Sequence, residues 1–153
     1  MWITLDSNEL RTNLAADEIA ALAAVNIEDL DTDRADAVDA ILQAACHNVA
    51  ESWRGRLRTV TDIDARADYV PTELLQYILV HVRYMAYTRL PNMETLLDRL
   101  RQREWERANQ VFDNLGDFYL EPPEEPMADD PRKPVVDVRR GAYDMDRHDG
   151  WIR

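Results

Sequence analysis

The placement of glycine and proline, the two residues that most often interrupt helices, divides this chain in two. The first 120 residues contain only two glycines and two prolines, whereas five of the seven prolines lie between Pro122 and Pro134. Within the first part, apolar residues recur at spacings of three and four, which is the period of an amphipathic helix. We therefore predict a helical body over residues 1–120 and a proline-rich linker with an extended C-terminal arm over residues 121–153.

Local signals place the individual helices of the body. Asp6 is followed three residues later by Glu9, a pattern typical of a helix N-terminus, and Pro71 suits the first position of a helix because its missing N–H would be unpaired there. Gly55 and Gly116 are predicted to end helices. The predicted helices are a short one that begins at Asp6, followed by residues 17–25, 31–53, 71–89 and 93–115.

The sequence thus predicts an all-α fold. We expect a compact bundle of four to five helices, with a long loop over residues 56–69 between the long helix and the central one. The helix over residues 71–89 is apolar on more than one face, which predicts that it is the most buried. Five aromatic residues at helical spacing are assigned to the core rather than to a stacking platform for bases: Tyr77, Tyr84, Tyr87, Trp105 and Phe112.

The charge balance limits the classes of partner. The formal net charge is −12, and residues 1–53 alone carry −9. A nonspecific binder of duplex DNA needs a basic face, so this class is disfavoured. No apolar run is long enough to span a bilayer, so we expect no association with a membrane. The N-terminal residues lack the basic and apolar regions of a signal peptide, so we expect the protein to be cytosolic when it is made.

A search for chemistry gives no catalytic, cofactor or metal site. His47 and Glu51 lie four residues apart, yet no second histidine joins them in register, so a surface pair is favoured over metal binding. The single Cys46 is predicted to be inert packing. Arginines between Arg99 and Arg107 alternate with acids and predict a solvated helix face. We predict that the protein is not an enzyme, while an unrecognised hydrolytic site remains an alternative.

Arg54, Arg56 and Arg58 form the basic cluster of the body. Three interpretations apply to it. The cluster could bind an anion or nucleic acid, it could stabilise the end of the long helix and pair with acids of the following loop, or it could contact the acidic N-terminal third of a neighbouring copy. We predict these arginines as subunit or partner contacts.

The C-terminal arm carries the other predicted contacts. Val135, Val136 and Val138 have strand propensity, and Tyr143 and Trp151 are too apolar for an inert tail. An arm with one short strand cannot build its own core, so it is expected to dock on the body, on another copy or on a different protein, with strand addition as one route.

The order of these features resembles a family of small tailed-bacteriophage proteins. The likeness covers about residues 2–120 and rests on patterns along the helices. The matching segments are Trp2-Ile3-Thr4, Ala50-Glu51-Ser52-Trp53-Arg54-Gly55-Arg56-Leu57, Val70-Pro71 with Leu74, Arg83-Tyr84, Thr88-Arg89-Leu90-Pro91, Glu104-Trp105-Glu106 and Ala108. These segments resemble the head-tail connector or head-completion adaptors, in particular the Mu-like group of small structural proteins.

The resemblance implies a structural protein of the virion neck. Copies would assemble in the host cytoplasm into a ring, commonly a dodecamer, that is attached to the portal protein. The ring would extend the DNA channel, enclose DNA without sequence-specific binding and offer a docking surface for the tail or for stopper and terminator proteins. Residues 121–153 depart from the family pattern. The alternative is a non-viral helical adaptor or regulatory protein that binds a partner through its C-terminal arm.

Overall fold

A computed structural model describes residues 1–25 and 34–127 of the chain. Helices dominate this part, which confirms the all-α prediction, and a two-stranded sheet accompanies them. The elements in chain order are β1 (Trp2–Thr4), α1 (Ser7–Thr12), α2 (Ala16–Ala24), α3 (Arg34–Leu57), β2 (Tyr69–Pro71), α4 (Leu75–Tyr87) and α5 (Arg99–Asp113).

An acidic side chain accepts a backbone N–H at the start of each of the two short N-terminal helices. The Asp6 carboxylate accepts a hydrogen bond from the backbone N–H of Glu9 at 2.8 Å, as predicted for the start of α1. In α2 the Glu18 carboxylate accepts from the backbone N–H of Ala15 at 2.8 Å. Both bonds satisfy N–H groups that have no partner within the helix.

Helix α3 continues through Gly55, so the prediction that Gly55 ends it is wrong. The helix ends at Leu57, and the exposed Gly55 lies in its last turn between the buried Trp53 and Leu57. Glycine costs a helix interior roughly 1 kcal/mol relative to alanine, which is less than the burial of two large apolar side chains contributes. Tertiary packing therefore overrides the local stop signal.

Helix α4 is the centre of the body, as predicted. It packs against both α3 and α5 and buries Ile78, Leu79, Val82, Ala86 and Tyr87. The predicted role of Pro71 is wrong by a few residues, because Pro71 is the last residue of β2 and is followed by a 3₁₀ turn over Thr72–Leu74 before α4 begins.

The last helix is shorter than predicted at its start. A 3₁₀ turn over Glu94–Leu96 precedes α5, and Asp98 caps the helix by accepting from the backbone N–H of Arg101 at 2.9 Å. Gly116 is not the C-terminal cap that the sequence suggested. Asn114 occupies that position, and Gly116 lies in the following 3₁₀ turn, Leu115–Asp117.

The antiparallel sheet joins the N-terminus to the segment before α4. The register pairs Trp2 with Pro71, Ile3 with Val70 and Thr4 with Tyr69. The backbone bond from Leu5 N–H to the carbonyl of Asp68, 2.8 Å, continues this contact, and Asp68 adopts a left-handed backbone with φ 60°. The predicted long loop thus ends in a strand that the local sequence did not reveal.

Candidate functional site

The C-terminal segment of the described chain, residues 121–127, is hydrogen-bonded to the body. The Trp2 indole N–H donates to the carbonyl of Glu121 at 2.9 Å. Further along, the Ala65 N–H donates to the carbonyl of Glu125 at 2.7 Å, and the Met127 N–H donates to the carbonyl of Ile63 at 2.9 Å. We call residues 121–127 the anchor segment, since these bonds hold them against the body.

Arg66 strengthens this contact from the loop before β2. Its guanidinium makes two 2.8 Å bonds to the buried carboxylate of Asp64 and lies 3.8 Å from Glu124 and 3.9 Å from Glu125. Because Arg66 bonds directly to it, the pKa of the Asp64 carboxyl is held below its ordinary value. The loop and the anchor segment are therefore tied by charge as well as by backbone bonds.

The three predicted arginines have different surroundings. Arg54 is 2% exposed and donates to the carbonyls of Tyr69 and Asp64, each at 2.9 Å. Arg56 is exposed and donates to the carbonyl of Asp113, the last residue of α5, at 2.9 Å. Arg58 is half-buried. The structure thus gives Arg54 an internal role, while contact of the three with a partner stays a prediction.

Replacing Arg54 by alanine is expected to lower the free energy of unfolding by about 2–3 kcal/mol, since two carbonyls would lose a charged donor. The matched change Arg56→Ala, at an exposed position of the same helix turn, should cost less than about 1 kcal/mol. Urea unfolding followed by circular dichroism measures both. Equal losses in the two variants would contradict the internal role of Arg54.

A cleft lined by aromatic residues opens between α3, α4 and α5. Its volume is about 380 Å³. The Tyr84 and Trp105 rings are stacked with centroids 5.2 Å apart, and His81 lies 5.3 Å from the ring of Trp53. We call this the aromatic cleft and define it by Trp53, His81, Tyr84, Met85, Trp105 and Asn109.

His81 provides the polar group at the base of the aromatic cleft. Its Nδ1 accepts the indole N–H of Trp53 at 3.1 Å, which assigns the proton of the neutral ring to Nε2. Nε2 is buried and has no hydrogen-bond partner of ordinary geometry among the described residues. Burial lowers the pKa of His81, an effect that Asn109 partly offsets.

The lowered pKa of His81 predicts an acid-sensitive fold. At a pH between the lowered pKa of His81 in the folded protein and its ordinary value near 6.5, the His81 side chain is protonated in the unfolded chain but not in the folded one. The free energy of unfolding should therefore fall as the pH drops below 6.5. The slope contributed by one such group is at most about 1.4 kcal/mol per pH unit. Urea unfolding at a series of pH values between 7 and 5 measures it. His81→Gln should remove this component and the exposed-site control His47→Gln should keep it; an unchanged slope in His81→Gln would contradict the assignment.

Cys46 and His47 are adjacent on α3 and lie in different surroundings. Cys46 is fully buried, which confirms the packing role, and burial raises the pKa of its thiol to about 12. His47 is exposed, and its Nδ1 lies 2.8 Å from the carboxylate of Asp68. Within residues 1–25 and 34–127, no group of three or more His, Cys, Asp or Glu side chains has the geometry of a metal site.

A buried charge cluster that the sequence did not reveal centres on Glu18. This residue is 1% exposed. Its carboxylate accepts from the Tyr87 hydroxyl at 2.9 Å and lies 3.1 Å from Arg101 Nη2 and 3.8 Å from Arg83 Nε. Burial, reinforced by the bond to Glu18, raises the pKa of Tyr87. The prediction of a solvated face is therefore wrong for Arg101, which links α5 to α2.

The predicted contacts in the arm, Val135, Val136, Val138, Tyr143 and Trp151, lie outside the described residues. In the part of the chain that is described, no helix has the length and apolar character needed to cross a membrane. Comparison of the chain with protein-family models, with curated proteins and with solved structures finds no significant match.

Proposed function

We propose that the protein is a structural component of a bacteriophage neck. In this proposal its copies form an oligomeric ring on the portal protein, extend the DNA channel and present a docking surface for the tail. The observation that carries the proposal is the charge polarity of α3, and the anchored C-terminal arm supports it.

Charges of opposite sign lie at the two ends of α3. Asp36 and Asp39 are exposed near its start, with Asp39 3.4 Å from Arg11, and Arg56 is exposed in its last turn, where it also donates to the carbonyl of Asp113. At 1.5 Å per residue, this 24-residue helix separates the two ends by about 36 Å. The arrangement complements the helix dipole, and it also lets the basic end of one copy meet the acidic end of the next. Such a head-to-tail contact is heterologous, and heterologous contacts close into rings when the rotation permits.

The anchor segment supports the role of the arm. Its hydrogen bonds to Ile63, Ala65 and Trp2 hold residues 121–127 against the body. In the proposal, the rest of the arm starts from this place in every copy and reaches a defined site on a neighbouring subunit or on the portal. The acidic character of the chain suits a channel, because a wall without a basic face does not hold DNA that must slide through.

The experiment is a mass measurement on the full chain, alone and mixed with a portal protein if one is encoded in its gene neighbourhood. Light scattering should give the mass of a discrete assembly of about twelve copies, either alone or on the portal. Because the proposed contact is between charges, raising the salt concentration should weaken assembly of the isolated protein. Arg56→Glu should reduce assembly, while Arg103→Glu, at an exposed position of α5, serves as the matched charge reversal and should not.

The alternative function gives a different outcome. A monomer or dimer that ignores the portal under all these conditions would contradict the connector proposal. It would favour a non-viral adaptor that recruits a partner through residues 121–153.

A further inference from the structure

The side chains of the aromatic cleft suit a ligand that carries an indole or phenol ring and, next to it, a hydrogen-bond acceptor. Tyr84 and Trp105 supply aromatic faces, and aromatic rings attract a further ring at centroid distances of about 4.5–7 Å. The Nε2–H of His81 makes no hydrogen bond of ordinary geometry with a described residue, and the nearby Asn109 side chain offsets only part of the effect of burial. A buried donor without a well-aligned partner is unfavourable, so a ligand that brings a carbonyl oxygen to Nε2 gains a hydrogen bond there.

The volume of the cleft limits the size of its ligand. Ligand pockets commonly measure about 300–1,000 Å³. At about 380 Å³ the aromatic cleft is at the small end of this range and suits one or two side chains of a peptide. Of the described residues that line it, Arg89 alone carries a charge, so an acidic residue beside the aromatic group would be favoured.

The chain itself contains a segment with these properties. Asp149 precedes Trp151 and Ile152, with Asp146 a few residues before. The segment therefore combines an indole, a neighbouring aliphatic side chain and two acids that outnumber the single Arg147, so its charge complements Arg89. A tryptophan residue of a peptide also carries its own backbone carbonyl, which is the acceptor that His81 requires.

The anchor segment places this sequence within reach of the cleft. Met127 is bonded to Ile63 in the loop that follows α3, and Trp53 lies in the last turns of α3. The 24 residues from 128 to 151 can span up to about 80 Å when extended, which exceeds the length of the whole helix. A tethered segment has an effective concentration in the millimolar range, so a weak contact is enough to fill the cleft.

We propose that the aromatic cleft binds the chain's own segment over residues 146–152, with the Trp151 side chain against Tyr84 and Trp105. Asp149 then pairs with Arg89, and a backbone carbonyl accepts from His81 Nε2. This inference goes beyond the proposed function, because an arm held on its own body requires neither a ring nor a portal. It describes the free protein and names the surface from which a partner would have to release the arm.

The experiment uses a fluorescent peptide of residues 141–153 and the full-length Trp151→Ala protein, whose cleft is free of its own tryptophan. Fluorescence anisotropy should detect saturable binding to this variant. The full-length wild-type protein should bind the peptide about tenfold more weakly, because its own segment competes at millimolar effective concentration. Equal affinity of the two proteins would overturn docking of the segment on its own body.

Two further variants in the Trp151→Ala background locate the binding site. Ser52→Trp introduces a bulky ring at an exposed position of the cleft wall and should abolish peptide binding. Arg89→Glu reverses the charge at the rim and should weaken binding about fivefold or more, whereas Arg89→Lys should keep most of it. Arg103→Glu is the control outside the cleft and should have no effect.

Each result supports or overturns the proposal. Urea unfolding identifies any variant that fails to fold. If one of the two cleft variants, Ser52→Trp or Arg89→Glu, does not fold, the other alone is sufficient to test the site. No saturable binding to the Trp151→Ala protein, or binding that Ser52→Trp leaves unchanged, would overturn the aromatic cleft as the site. The mass of the assembly is measured separately, so failure of this inference and failure of the connector proposal are distinguishable.

Discussion

The change Glu18→Ala is expected to lower the free energy of unfolding by about 3–5 kcal/mol, because it removes the anion from a buried cluster of two cations and a hydroxyl. Glu18 is 1% exposed, and Tyr87 would lose the acceptor of its hydroxyl. Arg101 and Arg83 would lose their shared carboxylate at positions where water replaces it only in part. A loss of this size is a large fraction of the stability of a typical domain. Urea unfolding at neutral pH, followed by circular dichroism, measures it.

Matched variants separate the cluster from a general effect of charge. Asp17→Ala removes an exposed acid next to Glu18 in the first turn of α2 and should cost no more than about 1 kcal/mol. Glu18→Gln keeps an acceptor for Tyr87 and should cost less than Glu18→Ala. A double-mutant cycle with Tyr87→Phe should show coupling between the two residues. If Glu18→Ala were as stable as Asp17→Ala, the cluster would not stabilise the fold.

Helices with local signals could be predicted from the sequence. Asp6 caps α1 through the backbone of Glu9, and the apolar spacing of α4 identified it as the central helix. These features depend on residues within a few positions of one another. The end of α3 could not be predicted in this way, because Gly55 remains helical through the packing of its neighbours Trp53 and Leu57 against other elements.

The sheet has no comparable local signal. Trp2 pairs with Pro71 and Ile3 with Val70, so the contact joins segments more than 60 residues apart. Strands of three residues are too short to show a period of two. The burial of Trp2 and Val70 follows from this long-range pairing and not from their own neighbours in sequence.

The candidate sites were predicted in part. The sequence identified Arg54, Arg56 and Arg58 as a cluster, but it did not show that Arg54 is buried against two carbonyls. Tyr87 is buried, as predicted for the aromatic residues, whereas Tyr84 and Trp105 are half-buried and line the cleft. Helical spacing places Tyr84 on a face of α4 and Trp105 on a face of α5, yet the gap between α3 and α5 that leaves them accessible depends on how the helices pack.

Trp53 contributes both to the packing of α3 against α4 and α5 and to the aromatic cleft. We expect Trp53→Ala to lower the free energy of unfolding by about 3–5 kcal/mol. Its side chain is fully buried, the Phe112 ring meets it edge-on at 5.0 Å, and its indole N–H donates to His81. The substitution would leave a cavity and remove the donor from His81 Nδ1. Urea unfolding of the full chain measures the loss.

Comparison with two other variants assigns the parts of this effect. Trp53→Phe keeps an aromatic ring, removes the indole N–H and leaves a smaller cavity, so it should cost about 1–3 kcal/mol, less than Trp53→Ala. Trp105→Ala removes a half-buried ring of the same cleft and should cost less than Trp53→Ala. Equal costs for Trp53→Ala and Trp105→Ala would mean that Trp53 does not hold α3 to α4 and α5. The expected order instead makes Trp53 the structural base of the cleft and leaves Tyr84 and Trp105 available to bind a ligand.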